Sequence, residues 1–589
     1  MSGGIYRSAN AAGGSGDDRP DDPGYEGTGG ASAAALGIPS AAELTGVEPE
    51  PSPAETGAAA NSAVMALGSL VSRGTGFLRT AALAAALGGG AVANAYTTAQ
   101  FFPGMIYELL LGGILSSVLV PVLVRRRRAD QDGGEAYAQR LLTLAVLSLG
   151  AATVLAVVAA PLLTLLYAGG GTTPEFRGLV TQLSYLMLPI IFFSGLSALL
   201  GAVLNTRGHF AAPMWAPILN NLVVMAAAGL FILLFGADGV TPEQMGPLQI
   251  AVIGGGTLLG VAIQVGGLWP ALRRVGFRWR WRLGFRALGL RDLGRLGAWM
   301  FCYVAVSQLG VFVLLYVLNQ ASAGDEAAGV AIYNNVYLLL MMAHGIVAVS
   351  IITALMPRMS ASAADGRHSD MAADLARGTR MSTAVLAPVS VGYAVLALPI
   401  SIALFERGNF TRLDSERTAP VLLVAAIALV PFAISQLFTF AYYALTDTKT
   451  PALINIPVVL LRVIVQVGLF FVLADAFAAS GLMIGNGISY VVAAVMSAWL
   501  LRARVGLIGM RGISVTFGKV LVASLGAALV GWVVVRLLPG GTEPTWWEAV
   551  LQLVVGGAAI GLAYLALAVA LRVREINDVL GLVRRRLGR

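Results

Sequence analysis

Val71-Ser-Arg-Gly-Thr-Gly-Phe-Leu-Arg-Thr80 lies in the middle of an apolar run from about Ala63 to Leu87. A run of that length can cross a bilayer, since about 20 helical residues at 1.5 Å rise span the hydrocarbon. It nevertheless carries Arg73 and Arg79 near its centre. One arginine there costs roughly 2.5–3.5 kcal/mol even on the lenient insertion scale, so two of them need a reason. Either the guanidinium groups face a water-filled cavity or an anionic partner inside a helical bundle, or they pair with carboxylates and fix helix packing. On an ideal helix, positions 73 and 79 stand roughly 9 Å apart along the axis and about 120° apart around it. They share one space only if the helix bends, and Gly74 and Gly76 between them weaken the ladder. A bend would aim both forks at one ligand, where guanidinium groups suit phosphate oxygens bidentately.

Working outward from this stretch, the whole chain is apolar. Of its 589 residues 57% are hydrophobic and only 12% charged, about half the charged share of an ordinary soluble domain. The mean hydropathy is +0.78. The sequence therefore predicts an all-α polytopic membrane protein. A single cysteine, Cys302, excludes an intramolecular disulfide and a cysteine zinc site. His209, His344 and His368 are too scattered for a metal motif, so no metal or other cofactor is expected.

Hydropathy and breakers predict about fourteen spanning helices, near 62–88, 95–124, 140–168, 179–205, 213–236, 249–272, 296–319, 327–357, 380–404, 418–446, 452–474, 479–501, 516–538 and 547–571. Residues 1–60 are rich in Gly, Ala, Ser, Pro and acidic residues and read as a disordered cytoplasmic tail, not a signal peptide. Arginines cluster after even-numbered helices: Arg125 to Arg128, the group from Arg273 to Arg295, Arg358 to Arg380, Arg502 to Arg511, and the tail from Arg572. Loops after odd-numbered helices hold few, and Arg407, Arg412 and Arg417 there are offset by Glu406, Asp414 and Glu416. This is a positive-inside pattern with both termini cytoplasmic, and it accounts for the net charge of +8 without nucleic acid. Gly276-Phe-Arg-Trp-Arg-Trp-Arg-Leu-Gly-Phe-Arg286 interleaves aromatics with arginines as a single-strand binder does. Between two spans it reads better as an interfacial anchor, with a short amphipathic helix on the inner leaflet as the expected form.

The chain also repeats itself. Pro161-Leu-Leu-Thr-Leu-Leu-Tyr-Ala-Gly-Gly170, then Pro189, then Leu204-Asn-Thr-Arg-Gly-His209 and Pro213 parallels Pro399-Ile-Ser-Ile-Ala-Leu-Phe-Glu-Arg-Gly408, then Pro431, then Leu445-Thr-Asp-Thr-Lys449 and Pro451. Both polar loops fall on one side, so the repeats are parallel and a substrate path is expected between two like lobes. The expected division is a tail at 1–60, an N-terminal lobe at 61–272, a basic aromatic interfacial linker at 273–295, a C-terminal lobe at 296–505, two further helices at 506–573 and a basic tail at 574–589. Arg462, and Gln466 one turn later, add polar groups inside a predicted span of the second lobe.

Ser72-Arg73-x-x-Gly76-Phe77-x-Arg79, Gly88-Gly-Gly90, Asn94-Ala-Tyr96, Phe102-Pro103 and Leu119-Val-Pro-Val-Leu123 together resemble the start of the MurJ (MviN) family. Gly201-Ala-Val-Leu-Asn-Thr206, Ala216-Pro-Ile-Leu-Asn220, Val306-Ser-Gln308, Leu355-Met-Pro357, Gly408-x-Phe410 and Asp447-x-Lys-Thr-Pro451 extend the likeness over roughly residues 62–575. The resemblance implies two six-helix lobes plus two C-terminal helices, a cationic alternating-access cavity, and export of an undecaprenyl-diphosphate-linked glycan lipid across the plasma membrane. It also implies a lipid II flippase of the multidrug/oligosaccharidyl-lipid/polysaccharide exporter superfamily, serving peptidoglycan and cell-wall biogenesis and so cell shape. Carried over by position, Arg73 and Arg79 match the two cavity arginines of helix one. The chain departs from the pattern at Asn94, an acidic position in better-studied members, at Tyr107 and Glu108, where those members carry adjacent arginines, and at Leu338, where they carry an arginine.

The substrate-binding set expected from this reading is Arg73, Arg79, Glu108 and Arg462. Glu108 could neutralise an arginine of helix one or form a static pair, and Arg462 could supply a phosphate clamp from the opposite lobe. Asn334, Asn335 and His344 either line the cavity or join helices by hydrogen bonds. No phosphate-binding Gly-x-x-x-x-Gly-Lys-Ser/Thr loop is present. Transport is therefore expected to run on the membrane potential or a monovalent ion, and no enzyme activity is expected. The rivals are a teichoic acid or polysaccharide precursor flippase, a multidrug antiporter, and a non-transporting scaffold for cell-wall synthesis proteins. Membrane lipids are partners on any of these readings.

Overall fold

Long apolar runs leave a backbone in lipid no hydrogen-bond partners but its own, so they fold as helices. The structure, a computed structural model, describes residues 53–112, 120–237, 239–288, 290–321 and 328–577, without the side chains of 53–66, 111–121, 128, 287 and 290–297. Two units divide the chain, Met1–Ser62 and Ala63–Arg589, and the helical bundle belongs to the second. Of the expected tails, residues 1–52 and 578–589 lie outside the described residues.

Among the described residues there is no strand, and eleven helices are long and apolar enough to cross a membrane. The count becomes twelve if the bent pair α12 (His368–Val395) and α13 (Ala397–Phe405), broken by 79°, is one span. The expected fourteen is therefore not the number found. The first two expected spans correspond to α1 (Pro53–Leu87) and to α2 (Ala91–Tyr107), whose course runs through a π-helical turn at Glu108–Gly112, and to α3 (Val120–Ala129) beyond it. Neither passes the same test over its described part, and residues 113–119 of the second lie outside it. Helix α1 starts at Pro53, earlier than the expected 62, because alanines fill its first turns.

The other helices follow in order: α4 (Glu135–Val158), α5 (Ala160–Ala168), α6 (Pro174–Met187), α7 (Ile190–Thr206), α8 (Ala211–Phe235), α9 (Gly256–Arg274), α10 (Leu290–Ala321) and α11 (Val330–Ala364). After α12 and α13 come α14 (Arg412–Ala444), α15 (Lys449–Val472), α16 (Ala478–Val505), α17 (Met510–Leu537) and α18 (Trp546–Ala570). The two stretches that repeat in sequence form similar short pieces: α5 and α13 are each nine residues long after a break. They differ at the next proline, since Pro189 separates α6 from α7 while Pro431 lies inside α14.

Buried apolar side chains gather in three large clusters. One runs from Leu83 to Leu288 with Ala331, a second from Leu314 to Ile576 with Ala84 and Met105, and a third from Ile351 to Ile508. Leu155, Val158, Leu233, Phe471 and Leu537 stay exposed, as lipid-facing positions of a spanning bundle do.

The first and second clusters meet along a seam knit by uncharged groups at the end of the bundle where α1 stops and α2 starts. The Asn409 amide donates to Ala86 O at 2.7 Å and accepts from Gly239 N at 2.8 Å, while its backbone N donates to Ala85 O at 2.8 Å. Asn94 accepts from Ala331 N at 3.0 Å, Thr98 donates to Asn319 at 3.1 Å, and Asn319 donates to Tyr167 O at 3.1 Å. Gly88 and Gly408 permit this approach. Both have positive φ, +78° and +59°, and a Cβ on either would strike backbone of the facing segment.

The linker corrects one expectation. Residues 277–284 form neither helix nor strand, and a 3-10 turn follows at Phe285–Leu288, so the expected amphipathic helix is not found there. Alternation of Phe277, Trp279 and Trp281 with arginines has a period of two and not the 3.6 of an amphipathic helix, and of the three aromatics Phe277 alone is buried.

Candidate functional site

Helix α1 runs unbroken through Gly74 and Gly76, and the two arginines go separate ways. Arg79 reaches a cavity of about 580 Å³ enclosed by α1, α2, α10, α11, α15 and α16. Arg73 is not among the lining residues. Its guanidinium packs on Gly345 of α11, where any Cβ would collide with it. His344, beside that glycine, is buried and packs on Phe432 with ring centroids 4.4 Å apart and planes tilted by 52°. It borders a different, more apolar space lined by Ile352, Met356 and Phe440.

The cavity combines two guanidinium groups with one carboxylate. Glu108 contributes from the π-helical turn, an irregularity that often marks working sites. Arg462 enters from α15, placed by a 3.0 Å bond from its Nε to Ser489 Oγ and by the Tyr490 ring 5.5 Å away. No ion pair among the described residues involves Arg73, Arg79, Glu108 or Arg462. The Nε of Arg79 is buried without a hydrogen-bond partner. Glu108 thus shares a chamber with Arg79 and Arg462 without neutralising either, and has no contact with Arg73.

The remaining wall is phenolic and amide. Tyr333 and Tyr337 on α11 stack with planes 10° apart, and Asn486 donates to the Tyr333 hydroxyl while accepting from Gln466 at 3.3 Å. Gln100, Gln308 and Asn334 also reach the space. Sequence reading picked out Asn334, but it missed the tyrosines, Asn486 and Gln308. Two tyrosines four apart on one helix face are the signal that could have found them. Of the four positions that depart from the family pattern, Tyr107, Glu108 and Leu338 line the cavity, while Asn94 serves the seam. Asn335 is buried against a small recess of about 40 Å³ that adjoins Arg79.

Such a chamber, with convergent cations, aromatic plates and amides inside an apolar shell, suits an anionic head bearing hydroxyl or amide groups. Among the described residues no three His, Cys, Asp or Glu side chains are grouped to hold a metal.

The chain is similar to known proteins over most of its length. The sequence profile of the family described as "Lipid II flippase MurJ" matches residues 83–546. The chain is 25% identical over 475 residues to the "Probable lipid II flippase MurJ" of Synechocystis, covering 80% of this chain and 86% of that one. It is 27% identical over 400 residues to the "Lipid II flippase MurJ" of Burkholderia cenocepacia, covering 66% and 74%. In fold it is similar to a solved "Lipid II flippase MurJ, inward closed conformation", with TM-score 0.67 at 18% identity over 89% of this chain and 99% of that one. An inward-facing multidrug transporter of the MATE family, in the MOP superfamily, matches at TM-score 0.59 and 17% identity over 74% and 95%.

Proposed function

The chain belongs to the lipid II flippase MurJ family, and from that premise we propose how its own residues carry a lipid-linked peptidoglycan precursor from the inner to the outer leaflet. It is an integral plasma-membrane transporter and not an enzyme, since a flippase moves its cargo without making or breaking a bond. Lipid-linked glycan and membrane lipids are its partners.

The reading rests chiefly on one observation: Arg79 and Arg462 enter one cavity from helices far apart in sequence, and no carboxylate pairs with either. Leaving a guanidinium at bilayer depth without a partner is costly, and a diphosphate would offset that cost. In our reading the diphosphate bridges Arg79 and Arg462, the glycan lies against the Tyr333–Tyr337 wall, and the polyprenyl chain stays in lipid. Arg73, seated on Gly345, guides the head toward that position. Glu108 keeps the cavity from holding the anion too tightly. An antiporter of organic cations would need carboxylates to dominate, and here two arginines face one glutamate.

We take 61–272 and 296–505 as two lobes, a division supported in part by the clusters from Leu83 to Leu288 and from Leu314 onward, although the second also takes in Ala84, Met105 and residues as far as Ile576. Both termini are cytoplasmic, and the seam at Asn409 closes the outer mouth. An inside-negative potential favours outward movement of an anion by roughly 2.3 kcal/mol per charge per 100 mV, so the potential, or a monovalent ion coupled to it, drives export. In this reading the N-terminal tail is dispensable for transport itself. The test is rescue of a strain depleted of its own flippase, read by precursor exposed at the outer face. Arg79→Gln and Arg462→Gln should each abolish rescue while the protein still inserts and accumulates. Full rescue by the double variant rejects the assignment of these residues.

A further inference from the structure

The linker that joins the two apolar cores forms a second pocket, unconnected to the translocation chamber by any shared lining residue. Its backbone is held in fixed register across α4. Gln139 donates to Arg278 O at 2.7 Å, Arg282 donates through Nε to Gln139 Oε1 at 2.8 Å, and Thr143 accepts from Arg282 N at 3.2 Å. Arg207 braces the start of the strap, donating to Val275 O at 3.1 Å with its guanidinium 4.9 Å from the Phe277 ring. This register turns Phe277 inward and leaves Arg278 and Arg280 exposed.

Between the strap and the last turn of α9 lies a space of about 410 Å³, bounded by Trp269, Arg273, Gly276, Arg278 and Trp279 over a floor of Leu200 and Leu272. Arg273 lies 5.7 Å from the Trp269 ring, and neither Arg273 nor Arg278 joins an ion pair among the described residues. An apolar edge adjoins it: Trp269, which lines the space, is 45% exposed, and Trp281, 62% exposed, packs beside the lining Trp279 with ring centroids 5.0 Å apart. Two uncompensated guanidinium groups call for an anion, and an exposed apolar edge at the end of a spanning helix calls for acyl chain. Together they describe one molecule. We propose that this pocket binds the phosphate head of an acidic glycerophospholipid, which clamps the linker to the membrane surface and so steadies the hinge between the two cores. A basic pocket at helix ends is a recognised form of such a site, and the tryptophans fix its depth at the headgroup level.

The test uses the full chain in phosphatidylcholine nanodiscs, titrated with spin-labelled phosphatidylglycerol. Each arginine near the surface contributes about 1 kcal/mol toward an acidic lipid, so Arg273→Gln with Arg278→Gln should weaken retention about 30-fold. The control pair Arg502→Gln with Arg511→Gln removes equal charge elsewhere and should leave retention within about twofold. Circular dichroism and melting should confirm that both double variants stay folded. Equal loss in the two double variants would overturn the proposal, because the attraction would then be diffuse. Unchanged retention in the first would overturn it as well. Displacement of the labelled lipid by millimolar inorganic phosphate would make the pocket a soluble-anion site. Displacement by a polyprenyl diphosphate, at concentrations where phosphatidylcholine has no effect, would make it a docking point for cargo. Either displacement rejects the assignment to acidic glycerophospholipid.

Discussion

Replacing Asn409 by alanine should open the seam. The side chain makes two hydrogen bonds, to Ala86 O at 2.7 Å and from Gly239 N at 2.8 Å, and the residue is only 9% exposed. Each such bond is worth about 1–1.5 kcal/mol net when its loss leaves a buried partner unsatisfied. The bond from Asn409 N to Ala85 O survives because it belongs to the backbone. The loss is therefore about 2–3 kcal/mol from the sealed state alone. If the two segments separate when the mouth opens, the ratio of open to sealed forms rises about 30–150-fold. The assay needs a reporter inside the chamber. Gly104 lines it, is exposed, and has nothing within 4 Å of an added Cβ, so Gly104→Cys in a Cys302→Ser background serves. A membrane-impermeant thiol reagent applied outside the cell should label this cysteine faster, by a factor in that range, when Asn409→Ala is added. Unchanged or slower labelling in a correctly inserted protein would refute both the placement of the seam at the outer mouth and its role as the closure.

Gly345→Ala should mimic loss of Arg73, because the methyl group takes the space of the guanidinium. If the seat is worth about 1.5 kcal/mol, transport falls about tenfold with little change in melting temperature, and normal transport rules the seat out. Asp447, in the loop between α14 and α15, is pushed up by burial. Its bonds from the Thr450 hydroxyl and amide, together with Arg504 at 2.7 Å, outweigh that, so its carboxyl stays below the usual carboxylate range. A carboxylate whose folded pKa is depressed stabilises above its unfolded value and stops doing so as pH falls through the folded value. Asp447→Asn should thus cost about 1–2 kcal/mol at neutral pH and nothing in strong acid, with the difference fading below about pH 4. A penalty independent of pH in detergent melts would reject the ion pair as its source. Arg462→Lys should restore little of the transport lost in Arg462→Gln, since an ammonium cannot hold the Ser489 bond and the Tyr490 face together while reaching an anion. Recovery to the level of the unaltered protein would show that charge alone suffices.

Spans were legible because a bilayer imposes a length and a composition on every crossing helix, and runs such as Leu141–Val158 or Ala549–Ala570 meet both. Arg79 was legible for the same reason, since buried positive charge stands out against apolar neighbours. The separate fates of Arg73 and Arg79 follow from ordinary helix geometry. Their six-residue offset points them apart, and the glycines expected to bend α1 leave it continuous. The linker was misread because its composition was weighed before its period. Phe277, Trp279 and Trp281 alternate with arginines, a period of two that does not suit an amphipathic helix. The seam was not legible. Asn409 finds Ala86 more than three hundred residues away, and one asparagine after a glycine looks like any turn. The tyrosine wall was hidden likewise, because Tyr333 and Tyr490 gain meaning only where α11 meets α16.

The hydrogen bonds of the seam at Asn409, Asn94 and Thr98 join amides, a hydroxyl and carbonyls, all uncharged. Dissolved electrolyte screens attraction between ions, but it has little purchase on bonds between amides and carbonyls. A cell moved from dilute medium to brine, or from neutral to mildly acidic surroundings, would find this door held with the same firmness. If the seam is the outer closure, the barrier between envelope and cytoplasm is set by protein geometry and not by the weather outside.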